Sequence, residues 1–60
     1  MIDKLKFIYF YIKGKNLLLD NNISEALLYF IKAAKYNKND YDLYAYKGLC
    51  EFLLKKFGSF

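Results

Sequence analysis

The side chains in this chain that could do chemistry are one thiol, Cys50, six carboxylates, ten lysines and seven tyrosines, with no histidine and no arginine. A thiolate nucleophile needs a neighbouring base or cation to form it. Cys50 has Glu51 beside it in sequence instead, so a structural thiol is expected. General acid-base catalysis needs titratable groups paired in a cleft, whereas Asp20, Asp40 and Asp42 fall in turns or at helix starts and suit capping. Gly14 and Gly48 each stand alone in an apolar segment and make no phosphate-cradling loop. Without histidine, and with one cysteine, the usual zinc ligand sets are missing. No catalytic residue, no cofactor and no metal are expected, and the chain does not read as an enzyme.

The elements that carry these residues are helices. From Ile2 to Leu19 apolar residues recur at helical spacing, with Phe7, Phe10, Gly14 and Leu17 on one face and Leu5, Ile8, Ile12 and Leu19 on another, which predicts a helix over 2–19 with two buried faces. Asp20-Asn21-Asn22 is a turn by composition. Asn22 with Glu25 three residues on forms a capping-box pattern that opens a second helix over 23–36. Its inner face holds Ile23, Ala26, Leu27, Phe30, Ala33 and Ala34, and the two small residues Ala26 and Ala33 are placed to receive Gly14. Asn37-Lys38-Asn39-Asp40 ends that helix, and Asn39 or Asp40 caps a third over 41–56. Gly58 suits the left-handed position that closes it.

Sixty residues make one small module, 1–60, and a chain this short buries only about 60% of its unfolded surface. Apolar residues are 57% and aromatics 22%, more than such an interior holds, so a partner or a second copy is expected to cover some of them. The net charge of +4 is modest for a nucleic-acid binder, and guanine and phosphate recognition leans on the missing arginine fork. The apolar run from Phe7 to Ile12 is too short for a secretory core or a membrane span, and the lone cysteine forms no internal disulfide. A cytoplasmic setting is expected.

Phe10-Tyr11-Ile12-Lys13-Gly14 and Tyr44-Ala45-Tyr46-Lys47-Gly48 are two segments of one pattern, and their glycines are 34 residues apart. With Phe10, Gly14, Leu17, Ala26, Phe30 and Ala33 at its key positions, the chain resembles a tetratricopeptide repeat. Lys13 and Lys47 depart from the leucine that usually precedes the glycine, and Lys38 from the closing proline. The resemblance implies an all-α, antiparallel helix-turn-helix fold. By that resemblance residues 7–40 look like one repeat, and 41–57, with Phe57 where Ile23 fell, like the first helix of a second repeat or a terminal capping helix. Lys47, Glu51 and Lys55 give that helix the polar outer face a cap requires.

The family's groove positions fall on Ile8, Tyr11, Lys15, Leu18, Asp42, Ala45, Leu49 and Phe52. They imply a protein-protein interaction scaffold for a protein or peptide, and the aromatic surplus with the thin stability of one and a half repeats points to a homo-oligomer. The carboxylate clamp of some relatives is not matched, because Tyr11, Lys15 and Tyr46 stand at its positions. An alternative is a basic amphipathic element touching anionic membrane or nucleic acid through Lys4, Lys6, Lys13 and Lys15, and the spread of those lysines around the first helix argues against both partners. The 60-residue chain is expected to give a mainly helical circular-dichroism spectrum, and sedimentation equilibrium is expected to give a mass above the monomer; a monomer at every concentration removes the self-association expectation.

Overall fold

The structure is a computed structural model that describes residues 2–58 and the side chains of residues 3–56. Met1, Ser59 and Phe60, at the ends of the 1–60 module, and the Phe57 side chain lie outside the described residues. The fold is all-helical, with no strand among the described residues: α1 spans Ile2–Leu19, α2 Ile23–Ala34 and α3 Tyr41–Leu53, and a π-helical turn, Leu54–Gly58, continues α3. The helix predicted over 2–19 is found with those bounds. The second ends at Ala34 instead of 36, and the third passes into wider π-type bonding after Leu53. Gly58 therefore belongs to the last turn and does not stand outside it as a closing residue.

The first connection takes only Asp20, Asn21 and Asn22, and its geometry explains how it stops one helix and starts the next. Asn21 has φ of 65°, the left-handed conformation that asparagine tolerates better than other side-chain-bearing residues. The Asn21 amide then donates to the Leu18 carbonyl at 3.1 Å and the Asn22 amide to Leu17 at 2.9 Å, the paired bonds of a Schellman closure. The capping box expected at Asn22 is not made, since its side chain forms no cap hydrogen bond. Its backbone is held from both sides instead: the amide closes α1, and the carbonyl accepts from the Ala26 amide at 2.9 Å.

At the far end of α2 the Lys35 and Tyr36 amides donate to Lys32 and Ala33, short i→i+3 bonds that tighten and end the helix. Asn37 then accepts from the Asn39 amide through its Oδ1 at 3.1 Å, the asparagine turn expected of that segment. Asp40 caps α3 as expected, its Oδ1 accepting from the Leu43 amide at 2.9 Å.

α1 and α2 run antiparallel. Along α1 the partners run from Tyr36, just past α2, for Lys6, through Tyr36 and Tyr29 for Phe10 and Phe30 for Gly14, to Asn22, just before α2, for Leu17. α3 packs on α2 in turn and runs in the direction of α1. The core consists of Phe7, Ala26, Phe30, Ala33, Leu43 and Cys50, with Phe10, Leu17, Leu18, Leu27 and Tyr46 among the half-buried residues packed round it. Extents of 40 × 20 × 15 Å leave room for a single layer of helices, each about 10 Å across. Each helix therefore keeps one side uncovered. This corrects the expectation of two buried faces on α1: Leu5, Ile8, Ile12 and Leu19 are exposed, because the described residues form no second layer to cover them.

The two glycines that set the 34-residue period meet different surroundings. A Cβ added at Gly14 would lie 2.8 Å from Phe30 Cε1 and 2.9 Å from Cδ1. The ring of Phe30, more than Ala26 or Ala33, is what occupies the space that Gly14 leaves. At Gly48 an added Cβ would meet nothing within 4 Å. Gly14→Ala should therefore destabilise the fold, since displacing a buried ring costs about 1–3 kcal/mol against a helix-propensity gain of about 1 kcal/mol. Gly48→Ala has no such opposing contact and should raise stability by about 1 kcal/mol, and urea unfolding of the pair checks the opposite signs.

Candidate functional site

α1 and α3, both packed on α2, leave a depression of about 440 Å³ between them, lined by Tyr11 and Lys15 from α1 and by Asp42, Ala45, Tyr46 and Leu49 from α3. Helical spacing puts each set on one face. Tyr11 and Lys15 are one turn apart, as are Asp42, Ala45 or Tyr46, and Leu49. Five of the eight residues that the resemblance assigns to a groove, Tyr11, Lys15, Asp42, Ala45 and Leu49, thus share one concave surface. Ile8, Leu18 and Phe52 do not line it. Ile8 and Phe52 are exposed, and Leu18 is half-buried against the core. Tyr46 is the lining residue that the groove assignment omits. In the sequence it stands at a position of the carboxylate clamp that the chain does not match, one helical turn before the apolar Cys50.

The floor is aromatic and is built on Phe30. Tyr46 stacks on Phe30 with centroids 5.6 Å apart and planes at 18°, and Tyr11 meets Phe30 edge-on at 6.2 Å. Tyr11 and Tyr46 meet each other at 5.9 Å and 67°, while Phe7 stacks behind Tyr11 at 5.5 Å. These are offset and edge-to-face arrangements, which the ring quadrupoles favour. Lys15 closes over the corner, with Nζ 5.3 Å from the Tyr11 centroid and 5.6 Å from that of Tyr46, within cation–π range of both. Burial, then the carboxylates of Asp40 and Asp42 and the neighbouring Tyr46, push the Tyr11 hydroxyl above its ordinary value. One side of the depression is thus cationic and the other anionic, over an apolar base.

Cys50 lies fully buried in the core, and burial followed by Glu51 raises its thiol. Both effects work against a thiolate. Among the described residues no group of three or more cysteine, aspartate or glutamate side chains gathers as metal ligands. Compared with models of known protein families, with curated proteins and with solved structures, the chain matches none.

The folded state holds the Tyr11 proton more tightly than the unfolded chain does. The resulting stability is complete below the ordinary tyrosine range and is lost as pH rises through that range and past the raised value. Denaturant unfolding on the alkaline side should show this loss in the parent chain, and Tyr11→Phe should show less of it. A thiol reagent should modify Cys50 slowly under native conditions and rapidly in denaturant; fast native modification would contradict the buried placement.

Proposed function

We propose that this chain is a non-catalytic protein-protein interaction module of the tetratricopeptide type, which takes a protein or peptide segment in the depression between α1 and α3. The observation that carries this reading is the pairing of Tyr11 and Tyr46 over Phe30, with Ala45 and Leu49 continuing the apolar surface along α3. Rigid aromatic side chains give contact area at small entropic cost and serve as anchors at interfaces. Lys15 and Asp42 add one charge of each sign at the rim, which can fix the direction of a bound segment. The 34-residue period and the antiparallel packing of α1 on α2 support the repeat assignment. The alternation of direction from α1 to α2 to α3 does so too.

A homo-oligomer belongs to the same reading. Tyr41, Tyr44 and Phe52 are exposed on α3, and the space beside Gly48 is open, whereas the matching Gly14 is covered by Phe30. A second copy adding to this side would extend the helical layer in the manner of a repeat. A cytoplasmic setting agrees with the free, buried thiol, and no helix among the described residues is long and apolar enough to cross a membrane.

Selection from a random peptide library on the immobilised chain tests the groove. Peptides with an aromatic or aliphatic anchor should be recovered. Leu49→Asp should weaken them about tenfold or more, the effect of losing one well-placed apolar contact. Leu49 is 43% exposed, so helicity should be unchanged in that variant. Recovery of no peptide, or of peptides indifferent to Leu49 and Tyr46, would count against the groove as the site.

A further inference from the structure

On the side of α1 turned away from the core, Leu5, Ile12 and Leu19 are 67%, 51% and 81% exposed, with Ile8 and Tyr9 exposed between the first two. Leu5, Ile12 and Leu19 are seven residues apart, two helical turns, so they form one stripe. Two rows of lysine border it. Lys6 and Lys13 edge the side toward α2, where their ammonium groups lie over Tyr36 and Tyr29 at 5.7 and 6.0 Å. Lys15 edges the side toward α3, over Tyr46, and Lys4, three turns earlier, falls on the same edge. All four are exposed. The lysines that the sequence pattern scatters round the helix are thus two borders, and the strip between them is apolar except for Asn16.

Charge decides what fits this face. A second copy would match the strip but bring the same lysines against these, with only Asp3 in the first turn and Asp20 just past the last to offset the four of them, and like charges set face to face oppose association. Nucleic acid would take the lysines but leave the aliphatic side chains in water. An anionic lipid surface satisfies both features. Apolar side chains enter the boundary between headgroups and acyl chains, while lysine stems lie along it and hold their charges among the headgroups.

We propose that α1 docks flat on anionic bilayers through Leu5, Ile12 and Leu19 between the lysine rows, as a peripheral contact that shares only Lys15 with the α1–α3 groove. Co-sedimentation with phosphatidylcholine vesicles, with and without about a third phosphatidylserine, tests this on the whole chain. Binding should require phosphatidylserine and fall about tenfold or more between low and high salt. Ile12→Gln, Leu19→Gln and the double variant Lys6→Gln/Lys13→Gln should each weaken it by about tenfold, with the circular-dichroism spectrum unchanged. Absence of binding to phosphatidylserine vesicles, or binding indifferent to both Ile12→Gln and Leu19→Gln, overturns the proposal. So does a lipid-free dimer that Ile12→Gln dissociates, which assigns the face to a second copy, or tight single-stranded RNA binding in place of vesicle binding.

Discussion

The contact on which this fold depends is the Phe30 ring set over the bare backbone of Gly14. It brings α2 against α1 with no side chain between them at that level, and it leaves the ring's other surface to Tyr46 of α3. One side chain thus joins all three helices. Ala26 and Ala33, one turn to either side, keep the approach close without themselves filling it. In a single layer of helices this arrangement makes good use of a small interior: the largest fully buried side chain is placed where every helix can touch it.

The lysines complement the aromatic surplus. Phe10, Tyr29 and Tyr36 form a cluster beside the main core, with Phe10 stacked on Tyr36 at 5.9 Å, and Lys6, Lys13 and Lys32 reach over these rings. Lys15 does the same for Tyr11 and Tyr46. Exposed contacts of this kind are each worth about 0.5–1 kcal/mol, yet they also keep the rim of the core wet and charged on its outside. Aromatic residues in excess of the interior are in this way partly covered by the stems of cationic neighbours.

Much of the fold is legible in the sequence because local rules and tertiary contacts agree. The helical spacing of α1, the Asp40 cap and the glycine that calls for a close partner each need only a few neighbouring residues to be understood. Asn22 departs from expectation because its side chain suits a cap while its backbone is already engaged in closing the previous helix, and no sequence pattern ranks those two uses. The outer face of α1 departs for a different reason. Periodicity shows that Leu5, Ile12 and Leu19 share a side but not whether anything lies against it. Of the depression, helical spacing supplies the faces of Tyr11, Lys15, Asp42, Ala45 and Leu49. It places Tyr46 on the same face as Asp42 and Leu49, but not its stacking on Phe30, which comes from another helix.

The three-residue link between α1 and α2 also orders the way the structure forms and opens. A turn that short closes with little entropy loss, so the α1–α2 hairpin is a local unit, and its contacts arise between residues near in sequence. α3 joins across a longer link and rests mainly on Phe30, Leu43 and Cys50. The walls of the depression therefore lie on different elements, one on the hairpin and one on the helix that docks on it. A segment bound between them would bridge that division, and would hold α3 in place by an amount that grows with its concentration relative to its Kd.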